Sequence, residues 1–208
     1  MNPLLIIVIV AVFFVLLFGG LSLVKKEGLS RQFIFTALVI TILGLIVSAA
    51  GLAFNPILFL IVLYLVTMRS RILVDAGNLL SSRGQHRAAL SIYQFALQLR
   101  PDVVGRLSAV INIGVAYLRQ GSPDKAVSIL KETLTMVPQG IHPKYETACR
   151  YNLGIAYRKE GGEEEALREF REVIRLLPAS LYAKGAKTAI REVTRSDLHE
   201  IKGHHDGK

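Results

Sequence analysis

The sequence predicts an all-α protein in which N-terminal transmembrane helices lead into an α-solenoid of three helix pairs and a C-terminal capping helix. Three observations carry that prediction. First, charge is segregated: residues 1–68 hold only Lys25, Lys26, Glu27 and Arg31, leaving 22 of the 25 basic and 15 of the 16 acidic residues to residues 69–208. Two parts in two solvents is the simplest reading of that split. Second, Gly77, Ala89 and Pro101, then Gly114, Ala126 and Pro138, then Gly154, Ala166 and Pro178 repeat one pattern, with successive members of each copy twelve positions apart. Third, apolar residues such as Leu90, Tyr93 and Leu97, and Val127, Leu130 and Leu134, recur at helical spacing. A repeat this regular builds a binding surface rather than a catalytic pocket.

The membrane part comes first in the chain. Residues 4–24 form an uncharged run of 21, about 31 Å as a helix and enough for the hydrocarbon core. The run is too long for a secretory signal, lacks Lys or Arg before it, and is followed by Lys25-Lys26, so it reads as a retained anchor. A second run, 33–54, is also long enough to span, whereas the third, 57–68, has only twelve residues. Charge placement decides the count. With three spans the Lys25-Lys26-Arg31 loop and the Arg69-Arg71 cluster fall on one side; with two they fall on opposite sides, against the positive-inside rule. The expectation is therefore three spans, about 4–24, 33–51 and 52–68, with the N-terminus outside and the repeats in the cytoplasm of a bacterial-type inner membrane or its equivalent. A re-entrant third segment is the alternative.

Within this part, the second helix must turn between Gly51 and Pro56, with Asn55 capping the third and Pro56 in its first turn. Gly44 and Ser48 make a small face suited to close packing inside the protein's own bundle. No ionisable residue sits inside a span, which argues against a transporter. Continuity of the third span into the first repeat helix through residues 69–74 would orient the repeats rigidly. A helix break between Met68 and Ala76 refutes that continuity.

The repeats occupy residues 69–195. The second copy reads Ile113-Gly114, Tyr117, Gly121, Ala126, Leu130 and Pro138; the third reads Leu153-Gly154, Tyr157, Gly161, Ala166, Phe170 and Pro178. The first has Ala76-Gly77, Leu80 in place of Tyr, then Gly84, Ala89, Tyr93 and Pro101. On these residues the chain resembles the tetratricopeptide repeat (TPR) family, although no copy has the Trp of that pattern. The physics agrees. Gly77, Gly114 and Gly154 let the two helices of a pair approach closely. Gly84, Gly121 and Gly161 suit left-handed helix ends, and the prolines stop the second helices. The copies lie 37 and 40 residues apart rather than 34. First helices lengthened at their N-termini would absorb the surplus. Residues 181–195 read as the helix that caps the last repeat, and residues 196–208 as a flexible basic, His-containing tail.

The resemblance implies a concave face, lined by the first helix of each pair, that holds an extended peptide through Asn side chains. Asn112 and Asn152 share a repeat position two before the Gly, and Asn78 follows its Gly directly. An Asn offers donor and acceptor together and can clamp a peptide unit without reading its side chains. The related chaperone-tail receptors also need basic residues that are absent here, because Val74, Ala148 and Asn152 stand in their places. Other positive groups are candidates for the groove: Arg71, Arg119, Arg158 and Lys159, which suggest a mildly acidic protein or peptide ligand. Solvated basic residues and Asn side chains engaged within the fold are the plainer explanation.

Beyond the groove, Lys184, Lys187, Arg191 and Arg195 form a basic stripe along the capping helix. It suits anionic lipid or an acidic partner, although a solvated face is the commoner use of such a stripe. No recognition motif or aromatic platform supports nucleic acid as a partner. His199, His204, His205 and Asp206 are weak as a metal set, and no cofactor motif appears. Cys149, the one cysteine, reads as a small buried thiol. Glu163-Glu164-Glu165 favours a helix N-terminus rather than acid–base work. The expected function is a membrane-anchored scaffold that recruits a protein partner, in the manner of an assembly factor. The alternative is an accessory subunit of a membrane enzyme or transporter, held mainly through its spans. No catalytic residue is expected.

Overall fold

Asn2 and Pro3 open the apolar run as a capped helix. Asn2 Oδ1 accepts the Leu4 N–H at 3.0 Å, and Pro3 sits in the first turn of α1 (Pro3–Val24), where its missing N–H costs nothing. The computed structural model describes the whole chain except residues 1, 26, 28–29, 53–54 and 206–208, and for residues 194–205 it describes the backbone alone. The chain divides into two compact units, 1–109 and 110–208.

In the first unit, α2 (Arg31–Ala49) is capped by Ser30. It ends just before Gly51, whose φ of +77° is the left-handed conformation that a glycine adopts without strain. Asn55 caps α3 (Pro56–Thr67), its Oδ1 accepting the N–H of Ile57 at 2.9 Å and of Leu58 at 3.2 Å. The three helices pack as an up-down-up bundle. At one end Ile7 and Phe59 meet at Gly44, where a Cβ would lie 2.9 Å from the Phe59 ring. Toward the other end Phe14 stacks on Phe33 at 5.8 Å and Phe18 tilts against Tyr64 at 5.6 Å. Gly44 thus serves packing inside the bundle. The buried core is Ile7, Ala11, Phe14, Ala37, Phe59 and Leu63, all apolar.

α3 does not run on into the first repeat. At Met68 the chain bends by 73° into α4 (Arg69–Ser82), which corrects the expected continuity. No proline or glycine stands at the bend; side chains stabilise it instead. The Thr67 hydroxyl donates to the Leu63 and Tyr64 carbonyls. The Arg69 guanidinium caps Val66 O at 2.8 Å and reaches Leu99 O at 3.3 Å. Tyr64 O still accepts the Met68 N–H at 2.9 Å, whereas Val66 O, which a continuous helix would pair with a backbone N–H, is taken by the Arg69 side chain.

α4 pairs with α5 (His86–Gln98). Gly77 is the point of closest approach: the Tyr93 ring occupies the space that a Cβ would need. α6 (Val103–Arg119) crosses from one unit to the other. In the second unit a Cβ on Gly114 would come within 2.7 Å of Leu130 on α7 (Pro123–Thr135). Similarly, a Cβ on Gly154 of α8 (Lys144–Glu160) would come within 2.7 Å of Phe170 on α9 (Glu163–Leu176). Gly84, Gly121 and Gly161 have φ of +78°, +78° and +83°, the left-handed ends that the repeat predicts.

The longer repeat periods are absorbed in two ways. α6 starts eleven residues before its Gly and α8 ten, against eight for α4. The rest of the forty-residue period lies in residues 136–143, which turn at left-handed Gly140. α10 (Leu181–His205) covers α8 and α9, burying Ala183, Ala186 and Ala189 against Ala166, Phe170 and Val173. The backbone of residues 196–205, expected as part of a tail, belongs to this helix, and the side chains of His199, His204 and His205 lie outside the described residues.

Candidate protein-interaction surface

The candidate asparagines all lie on first helices. Asn78 is exposed on α4, and its Oδ1 accepts the Tyr93 hydroxyl at 2.8 Å, which leaves its amide N–H groups to donate. Asn152 is half-buried on α8, and its Nδ2 donates to Ala148 O one turn back at 2.8 Å, which leaves its oxygen to accept. Asn112 on α6 is half-buried and makes no side-chain hydrogen bond among the described residues. Each tether fixes an amide plane. An immobilised amide loses less rotamer entropy on binding than a free one.

The basic candidates separate into two groups. Arg71 lies 3.6 Å from Glu27 and 3.7 Å from Asp102, so its charge serves the junction between the bundle and the first repeat. Arg158 pairs with Glu192 at 2.9 Å and ties α8 to α10. Arg119 and Lys159 are exposed at equivalent repeat positions, and Lys184, Lys187 and Arg191 are exposed along α10. The side chain of Arg195 lies outside the described residues.

Two further clusters have structural roles. Arg150 bridges Glu146 at 2.8 Å and Glu169 at 2.9 Å, joining α8 to α9. Burial works against the Arg150 charge, but the two carboxylates outweigh it and hold its pKa above the ordinary value. Cys149 is buried, with its Sγ 3.2 Å from Leu130 O. Burial pushes the thiol up to about 12, so it stays protonated and is no nucleophile at neutral pH.

Sequence reasoning missed a small cleft of mixed polarity in the first unit. It is about 50 Å³, lined in part by Ser22, Gln32, Thr36, Arg69, Ser70 and Asp102. Gln32 Nε2 donates to Arg100 O there, which ties the start of α2 to the end of the first helix pair. Nothing in the local pattern signals it, because the lining residues, from Phe18 to Asp102, are up to 84 apart in the chain.

The tetratricopeptide repeat family model matches residues 68–139 and 107–179, the region that forms α4 to α9. The chain belongs to the tetratricopeptide repeat family. TPR helix pairs act as protein-interaction scaffolds that bind protein or peptide partners, and they are generally non-catalytic. A comparison with curated proteins returns no match.

Proposed function

We propose that this TPR protein is a membrane-anchored adaptor. It recruits a protein or peptide partner through the first-helix faces that carry Asn78, Asn112 and Asn152, and it serves the assembly of a membrane complex. One observation carries the anchoring: large apolar side chains, among them Phe13, Leu16, Phe35, Ile57 and Leu58, point outward from all three helices of the α1–α3 bundle. α1 and α2 are each long and apolar enough to cross a bilayer. The up-down-up packing supports three spans, with the N-terminus outside and the repeats cytoplasmic, because it brings Glu27 in the loop after α1 to Arg71 on α4. Lys25, Arg31, Arg69 and Arg71 then share the positive side. Anchoring contributes by confinement, since it raises the partner's effective concentration at the bilayer. Exposed Arg119 and Lys159 favour a mildly acidic ligand, and the α10 stripe favours contact with anionic lipid.

Crosslinking in cells followed by mass spectrometry, on the native chain and an Asn78/Asn112/Asn152→Ala variant, tests the reading. Loss of specific partners at unchanged membrane level and helicity supports it; an unchanged partner list refutes it. One observation favours a second reading, an accessory subunit held through its spans. An apolar groove of about 610 Å³ runs between α2 and α3, lined by Phe35, Val39, Leu43, Leu58 and Val62. Partners that survive the Asn substitutions but are lost with Leu43→Trp would support it.

A further inference from the structure

The first helix pair departs from the others on one side. In the third copy the residue five before the Gly, Cys149, is buried and hydrogen-bonds Leu130 O on α7, so this position faces the preceding second helix. The residue two after the Gly lies on the same stripe, and in the later copies it is Ala116 or Ala156, both fully buried. The equivalent residues of the first copy are Ile72 and Leu79. No repeat precedes α4, and Leu79 is 52% exposed.

A repeat that ends a solenoid is expected to carry a polar outer face. Here the residues are instead larger and more apolar than their buried counterparts. On α5 and at its C-terminal cap the same side carries Ala88, Ile92, Phe95 and Leu99 at spacings of four, three and four, and Phe95 is 49% exposed. The positions equivalent to Phe95 in α7 and α9 are Glu132 and Glu172. No charged residue occurs from Ala88 to Leu99, whereas α9 alone carries eight. On α4 the stripe Ile72, Ala76, Leu79 is closed at either end by Arg69 and Arg83. Residues 69–109 contain six Arg, two Asp and neither Lys nor Glu.

An apolar stripe closed by arginines is the pattern of a helix lying in a membrane interface. The first unit supplies the geometry. The 73° bend at Met68 turns α4 across the direction of α3, and the Gln32–Arg100 and Arg71–Glu27 contacts fasten the end of the pair to the bundle. If α3 follows the bilayer normal, α4 runs close to the membrane plane at the level where the spans end.

We propose that the outer side of the α4–α5 pair rests in the interfacial layer of the membrane crossed by α1–α3, with Leu79 and Phe95 at the acyl boundary and Arg83 beside lipid phosphates. The bilayer takes the place of the missing preceding repeat. This inference rests on the membrane reading above.

The natural chain has no Trp, so one introduced indole reports alone. Phe95→Trp and Leu79→Trp in the full-length protein would be reconstituted in phosphatidylcholine–phosphatidylglycerol vesicles. Phe13→Trp midway along the outside of α1, read with lipid brominated deep in its acyl chains, and Met136→Trp after α7 serve as controls. Quenching by lipid brominated just below the headgroup is expected at positions 95 and 79. Acrylamide quenching there should be about threefold weaker than at position 136, as for interfacial side chains. Acrylamide access equal to that at 136, or protection without bromine quenching, overturns the proposal provided the position 13 control is quenched by the lipid. An unquenched position 13 defeats the membrane reading itself, and the inference with it.

Discussion

Replacing Gly154 with Ala should destabilise the α8–α9 pair, and the same replacement should stabilise it once Phe170 is gone. A Cβ on Gly154 would lie 2.7, 2.9 and 3.0 Å from three carbons of the Phe170 ring, and ordinary contact begins at 3.4 Å. The helices must open by 0.7 Å (3.4 − 2.7 Å) or the ring must leave its buried site. Overpacking of this kind costs about 1–3 kcal/mol. Against it stands the helix propensity gained on replacing a mid-helix Gly, about 1 kcal/mol. The net expectation in the native background is a loss of about 1 kcal/mol, seen as a drop of a few degrees in Tm. Phe170→Ala alone should cost about 3–5 kcal/mol through the cavity it leaves. In that background the clash is absent, so Gly154→Ala should recover about 1 kcal/mol from propensity. The coupling energy from the four proteins is then about 2 kcal/mol, large enough to measure in a double-mutant cycle. The assay is thermal and urea unfolding of the full chain in detergent, followed by far-ultraviolet circular dichroism. An equal effect of Gly154→Ala in both backgrounds would refute the idea that the glycine exists to admit the ring.

Two further outcomes follow from the second unit. Gly161 holds φ at +83° with open space around its Cβ position, so Gly161→Ala tests backbone strain alone; it should cost about 1–2 kcal/mol, and no loss in urea unfolding would count against the left-handed cap. Cys149 ionises near 12 when folded but close to 9 when unfolded, so its raised pKa contributes stability that is intact below pH 9 and is lost as pH rises toward 12. Relative to Cys149→Ala, the native chain should lose up to about 1.4 kcal/mol per pH unit in that window, and parallel pH dependences would exclude the thiol as the cause.

The repeat pairs were legible in the sequence because their determinants are local and periodic. A Gly sixteen residues before a bulky side chain sets Gly77 against Tyr93, Gly114 against Leu130 and Gly154 against Phe170. The Asn55 cap was legible for the same reason. The bend at Met68 was not. Residues 69–74 contain no helix breaker, and the bend depends on Thr67 and Arg69 finding carbonyls in three dimensions, one of them thirty residues away at Leu99. Arg71 and Arg158 looked like groove cations in the sequence because their partners, Glu27 and Glu192, are more than thirty residues distant. Gly185, where a Cβ would meet the Tyr151 hydroxyl at 2.8 Å, falls outside the repeat pattern and gave no signal. The asparagines are legible as positions, but their orientations depend on Tyr93 and Ala148.

The glycine contacts also bear on how such a chain avoids misfolding. The hole is the same in each pair, and the knobs that fill it are Tyr93, Leu130 and Phe170, all bulky and mutually replaceable in outline. Steric fit at that point would therefore admit a first helix paired with the wrong second helix, a recognised failure of repeat arrays. Discrimination falls to polar links that are not repeated. Asn78 can meet a hydroxyl only on α5, because Leu130 and Phe170 have none, and Arg150 meets Glu169 only on α9, where α5 and α7 offer Ile92 and Ile129. These bonds add little to the hold between correctly paired helices. In a wrong pairing Arg150 keeps only Glu146 on its own helix and the Asn78 oxygen loses its hydroxyl donor, and that makes each helix pair its own best match.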